Sequence, residues 1–88
     1  MDTLSDIMNV EKQKSYQGVI HMIRSNLREY RIAKGLKQEE LAELVGLSRR
    51  SISSFENDQA PSLENALILS GFFHVPVNQL FSLAEKRG

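Results

Sequence analysis

The strongest constraint on the fold is a single glycine, Gly46, set between two short stretches that each carry apolar residues at helical spacing. Before it, the stretch Gln38 to Val45 places Leu41, Ala42 and Val45 on one face and Glu39, Glu40 and Glu43 on the other. Acidic residues in that first turn suit the positive end of the helix dipole. After the glycine, Ser48 offers a side-chain oxygen to a free backbone N–H of a new first turn, and Ile52 and Phe55 point inward. Ala42 is small where the next helix crosses, Gly46 takes a positive φ without steric cost, and Ile52 covers the underside of the following helix. With these positions inward, Arg49, Arg50, Ser53, Ser54 and Asn57 are left outside. The spacing Gln38, Ala42, Gly46, Ile52, Glu56 is that of two helices joined by a sharp turn.

The rest of the chain reads as further short helices. From Val19, the residues Ile20, Ile23, Leu27 and Tyr30 recur at three and four positions, predicting a helix that Gly35 stops. Pro61 and Ser62 open a fourth helix with Leu63, Ala66, Leu67, Leu69, Ser70 and Phe73 on a broad inward face. Pro76 then separates a last short helix bearing Val77, Leu80 and Phe81. No stretch shows sustained strand alternation, so the expected fold is all-α with five short helices. Residues 1–18 carry only the loose pattern Leu4, Ile7, Met8, Val10 and a break at Gly18, read as an arm or an extra helix before a domain spanning 19–88.

Bulk properties narrow the function classes. With 88 residues the chain forms one domain with a modest core, and with no cysteine it has neither disulfides nor a thiolate metal site. Residues 1–18 contain no apolar run of secretory or membrane-spanning length, so a cytoplasmic protein with no membrane partner is expected. The formal net charge is zero, which argues against a general electrostatic binder of nucleic acid. Distribution tempers this, because Arg24, Arg28, Arg31, Lys34, Lys37, Arg49 and Arg50 all lie mid-chain, leaving room for a local basic face. His21 and His74 are isolated from other metal-ligating residues. No glycine-rich phosphate loop is present, and Ser51, Ser53 and Ser54 are accounted for by helix geometry. We therefore expect no metal, no cofactor and no enzyme activity.

The stretches Arg31-Ile32-Ala33-Lys34-Gly35-Leu36-Lys37-Gln38, Leu41-Ala42, Val45-Gly46-Leu47-Ser48, Ile52-Ser53, Phe55-Glu56-Asn57, Ala60-Pro61-Ser62, Val75-Pro76 and Leu80-Phe81 carry a further signal. Together they resemble the phage repressor and Cro-like helix-turn-helix domains of the XRE family, over roughly Ile23 to Phe81. The resemblance implies a compact five-helix lambda-repressor-like fold and a sequence-specific regulator of transcription, a repressor in the first instance, that binds double-stranded DNA. It implies that Gln38 touches the DNA backbone and orients the recognition helix, that Arg49, Arg50 and Ser54 reach base edges, and that Asn57 contacts the backbone. Arg31 and Glu56 match a structural pair. A guanidinium can donate two bonds to a guanine edge, and neighbouring helical residues point about a quarter-turn apart, so one arginine reads a base while the other holds phosphate. Lys37 and Arg28 are further phosphate candidates.

Two departures from the family stand out. Asp58 replaces the usual glycine after the recognition helix, and Lys37 replaces a Ser or Thr cap. Ile68 and Phe72, four residues apart on one helix face, occupy positions the family leaves polar or small, and are expected in a homodimer interface or under the N-terminal segment. Three alternatives stay open at this level: an antitoxin, a protein-interaction adaptor whose DNA binding is secondary, and a restriction-modification controller protein.

Overall fold

The computed structural model describes the backbone of residues 19–87 and the side chains of residues 22–84. The segment 1–18, expected as an arm or extra helix, lies outside the described residues. The elements in chain order are β1 (Val19–Ser25), α1 (Leu27–Ala33), α2 (Gln38–Val45), α3 (Arg49–Glu56), α4 (Leu63–Phe73), α5 (Val77–Leu80) and β2 (Phe81–Arg87).

Each helix sends one side chain fully into the core: Leu27, Leu41, Ile52, Leu69 and Leu80 are all 0% exposed. Full burial of such a side chain stabilises by about 1.5–3 kcal/mol, so five of them around one centre dominate the fold. Ala42, Phe55, Phe73 and Phe81 complete the cluster, with Ile23, Tyr30, Leu36 and Phe72 packed at its edge. Phe55 meets Phe81 edge to face at 6.5 Å, which joins α3 to the start of β2.

The expected all-α fold is corrected by a two-stranded sheet. β1 and β2 pair antiparallel, from Ser25 opposite Phe81 out to Val19 opposite Arg87. The predicted helix from Val19 therefore begins only at Leu27, and the last helix ends at Leu80 rather than carrying Phe81. Spacings of three and four among Ile20, Ile23 and Leu27 fit a helix, but Val19, Ile20 and Ile23 are β-branched and favour a strand once a partner is available. That partner lies more than fifty residues away, so no local pattern exposes it. The junction is tied by Asn26, whose backbone N–H donates to the Leu80 carbonyl at 2.8 Å and whose side chain donates to the Gln79 carbonyl at 3.1 Å.

Four helices end by one device. Gly35, Gly46, Asp58 and His74 follow α1 to α4 with φ of 70°, 74°, 64° and 57°. In each case the next residue's N–H reaches back to the last turn: Leu36 to Arg31, Leu47 to Ala42, Gln59 to Ser54 and Val75 to Ser70. A Cβ at Gly46 would meet nothing within 4 Å, so glycine is required there by φ and not by space. At the two non-glycine sites the left-handed conformation costs about 1 kcal/mol. Replacing His74 by glycine is therefore expected to stabilise the domain by about that amount, read as a raised midpoint in urea unfolding.

Asp58 offsets its strain. Its carboxylate accepts a 2.9 Å bond from the Ser25 backbone N–H, fastening the turn after α3 to the end of β1. Asp58→Gly should accordingly leave stability nearly unchanged, relief of strain cancelling loss of the bond. Asp58→Ala keeps the strain and loses the bond, and should lower the unfolding midpoint measurably.

One expectation about α4 is also revised. Ala66, Leu69 and Phe73 face the core as predicted, whereas Leu63 and Leu67 are 74% and 55% exposed. The helix carries apolar residues around most of its circumference, so its inward face could not be read from periodicity alone.

Candidate nucleic-acid interface

Helix α3 begins at Ser48, whose Oγ accepts from the Ser51 N–H at 3.0 Å as the sequence predicted. Ile52 and Phe55 anchor its inner face. The outer face is thereby fixed, and Arg49, Arg50, Ser53, Ser54, Asn57 and Gln59 line one open cleft of about 460 Å³. Both arginines are exposed and make no ion pair among the described residues. Asn57 donates its side-chain amide to the Ser53 carbonyl at 2.8 Å, which closes the helix end and holds the amide at the cleft wall.

The orientation of α3 is locked from behind. Glu56 accepts from Arg31 Nε at 2.5 Å and from Arg31 Nη2 at 3.1 Å, and it also accepts from Gln38 Nε2 at 3.1 Å. Arg31 Nη1 donates in addition to the Leu36 carbonyl at 2.7 Å. One carboxylate thus binds α1, α2 and α3 together. The side chains of Arg31 and Glu56 are only 11% and 4% exposed. The hydrogen bond to Glu56, assisted by that carboxylate's charge and opposed by partial burial, raises the Arg31 guanidinium above its ordinary value. While Glu56 is ionised, the Arg31 contribution to stability is therefore fully present below the ordinary arginine range and is lost as pH rises through the raised value.

A second, smaller cleft of about 260 Å³ lies at the start of α2, lined by Arg31, Lys37, Gln38, Glu39 and Arg49. Arg49 borders both clefts, and Arg50 only the larger one. Lys37 has no acceptor to cap α2, but its backbone N–H donates to the Glu40 carboxylate at 2.8 Å, which supplies the return half of a capping box. Of the residues singled out from sequence, Arg49, Arg50, Ser54, Asn57, Lys37 and Gln38 gather around these two clefts. Arg28, exposed on α1, lines neither. Gln59 joins the site without having been anticipated. The signal was Asp58, because a left-handed residue there turns the chain back beside α3.

Ile68 is at the margin of exposure and Phe72 is half-buried against the core. The Phe72 ring meets Phe73 edge to face at 4.9 Å and carries the Lys34 ammonium 5.8 Å from its centroid. Among the described residues no group of three His, Asp or Glu side chains could hold a metal ion, and no helix is long and apolar enough to cross a membrane.

A tight turn between two crossed helices, the second presenting an outward polar cleft, defines a helix-turn-helix domain. The chain belongs to the helix-turn-helix family of phage-repressor and Cro-like (XRE) type, whose family model matches residues 27–80. It is 34% identical over 65 residues to the cryptic phage CTXphi transcriptional repressor RstR of Vibrio cholerae, covering 73% of this chain and 59% of that protein. It is 39% identical over 60 residues to the HTH-type transcriptional activator BcrR of Enterococcus faecalis, covering 67% of this chain and 29% of that one. The chain thus spans less than two-thirds of the length of either relative. Its fold is similar to the crystal structure of the transcriptional regulator VanUg, with a TM-score of 0.64 and 18% identity over 75% of this chain and 89% of that one.

Proposed function

We propose that this chain is a DNA-binding regulator of transcription that lays α3 in the major groove and acts as a dimer on a two-fold site. The observation that carries the reading is the cleft on α3, where two exposed arginines, two serines and two amides share one outward face. A major groove about 12 Å wide admits a helix presenting such side chains. Arg50, bordering only the α3 cleft, is assigned to a base edge. Arg49, standing between that cleft and Lys37 and Gln38 at the start of α2, is assigned to phosphate. Asn57 and Gln59 hold the backbone at the other end of the helix. Gln38 serves chiefly to orient α3 through Glu56.

A repressor working by occupancy, in the cytoplasm and without catalysis or cofactor, is the form this function takes; the likeness to a phage repressor supports it. One such module makes few contacts, which favours a dimer with half-sites about 34–36 Å apart. The test is selection from random duplex DNA with the full chain at low salt, where phosphate contacts are strongest. Enrichment of a two-fold motif is expected. Recovery of unbiased sequence at every round would overturn the reading.

A further inference from the structure

The base of the β-ribbon grips the recognition helix at two points. Ser25 and Phe81 are cross-strand partners at the ribbon's inner end. Phe81 meets Phe55, on the buried side of α3, edge to face at 6.5 Å. Ser25 donates its backbone N–H at 2.9 Å to Asp58, just past the end of α3. Ser25 is itself a fixed post, because its Oγ accepts from the Leu27 N–H at 3.2 Å and the next residue, Asn26, is bonded to Gln79 and Leu80. Asp58 stands between Asn57 and Gln59, which both line the recognition cleft, yet it lines none of that cleft itself.

We propose that Asp58 is a positioning residue for DNA: its tie to Ser25 holds Gln59 beside α3, where it meets a phosphate. This role rests on the DNA-binding reading. Two features carry it. Asp58 has a φ of 64°, which reverses the chain so that the Gln59 N–H returns to the Ser54 carbonyl at 3.2 Å. A glycine would take that φ without strain, so backbone geometry gives no reason for a carboxylate there. Stability gives none either, since the bond to Ser25 about cancels the strain. The second feature is charge. The carboxylate sets a negative group one residue from a surface assigned to phosphates, where that sign opposes binding. An acid in this place is unfavourable for DNA affinity unless the bond it makes contributes more than its charge costs.

Charge and tie act with opposite sign. If the charge dominates, every neutral replacement strengthens binding to every duplex. If the tie dominates, only a replacement that keeps an acceptor for Ser25 does so. Asparagine keeps a side-chain oxygen and tolerates the left-handed conformation, whereas glycine keeps the conformation and loses the oxygen. The loss on substitution by glycine is uniform over sequences, because phosphates carry no base identity.

The test compares wild type, Asp58→Asn, Asp58→Gly, Gln59→Ala and the double variant Asp58→Gly with Gln59→Ala, all in the full chain. Binding isotherms are taken on the selected motif and on unrelated duplex at low salt, beside urea unfolding and the backbone NMR order parameter of Gln59 in the free protein. Asp58→Gly should bind both duplexes about threefold to tenfold more weakly at an unchanged unfolding midpoint, the range of one lost hydrogen bond. Asp58→Asn should bind at least as tightly as wild type. On the Gln59→Ala background, Asp58→Gly should weaken binding no further. The Gln59 order parameter should fall in Asp58→Gly and hold in Asp58→Asn. Binding by Asp58→Gly as tight as wild type or tighter, or the full loss persisting on the Gln59→Ala background, would overturn the positioning role. So would a Gln59 as rigid in Asp58→Gly as in wild type. A wild type that binds no duplex, with Gln59 loosened by Asp58→Gly, would sink the DNA-binding reading and leave the tie standing.

Discussion

Glu56→Ala is expected to lower the unfolding free energy by about 3 kcal/mol, the figure typical of stranding one partner of a buried ion pair. Glu56 is almost wholly enclosed and accepts from Arg31 twice and from Gln38 once. Its removal leaves Arg31 Nε and Nη2 and the Gln38 amide without that acceptor in a site that water reaches poorly, Arg31 keeping only the Leu36 carbonyl. For a domain of this size the loss corresponds to a fall in Tm of roughly 10–20 °C. Urea unfolding at neutral pH measures it directly. A loss below about 1 kcal/mol, the range of a surface pair, would mean that the network is solvated and that α3 is oriented by packing alone. The double variant Arg31→Met with Glu56→Leu should recover much of the stability, because both charges leave together. It should not recover DNA binding to the same degree, since Gln38 would lose the acceptor that aligns it with α3.

Arg50→Ala and Arg49→Ala should fail in different ways on DNA. Loss of a bidentate guanine contact costs about 1–3 kcal/mol, or roughly 5- to 150-fold in affinity, and only on sequences carrying that guanine. Arg50→Ala is thus expected to flatten preference at one base pair in each half-site. Arg49→Ala, in the phosphate role, should weaken all duplexes about equally and reduce the magnitude of the salt slope by about 1. Binding isotherms on the selected motif and on single-position variants, at several salt concentrations, separate the outcomes. The reverse pattern would exchange the assignments. Uniform loss from both substitutions would mean that neither arginine reads a base, and that any sequence preference resides in Ser54, in the amides or in DNA shape.

The helix-turn-helix was legible in the sequence because its determinants are local. Ala42, Gly46, Ser48 and Ile52 lie within eleven residues, and each answers to a near-neighbour requirement: a close crossing, a positive φ, a free N–H, a buried underside. The outward cleft followed, since fixing the inner face of a short helix fixes the outer one. Lys37 shows where locality misled. A missing hydroxyl suggests a weak start to α2, but Lys37's own backbone N–H donates to the Glu40 carboxylate three residues on, the half of a capping box that needs no hydroxyl.

Other features were decided elsewhere. His74 carries no mark of its left-handed conformation in the sequence; the end of α4 imposes it, because Val75 must return to Ser70. Leu63 and Leu67 fit a core-facing helix as well as Leu69 does, and only the position of the other helices determines which of them is covered. Gln59 enters the cleft because Asp58 reverses the chain, and Asp58 is held in turn by the distant Ser25.

What the sequence determined by itself was the turn at Gly46 and the two helices around it, whose geometry depends on contacts a few residues apart. What only the tertiary structure decided was the ribbon of β1 and β2. Val19–Ser25 has the residue types of a strand and the spacing of a helix, and its backbone bonds can be satisfied either way. Pairing with Phe81–Arg87 settles the conflict, because the five helices between the two segments bring them side by side. The same closure carries Leu83 beyond the core and leaves it, with Leu63, at the edge of a groove that no local pattern predicts.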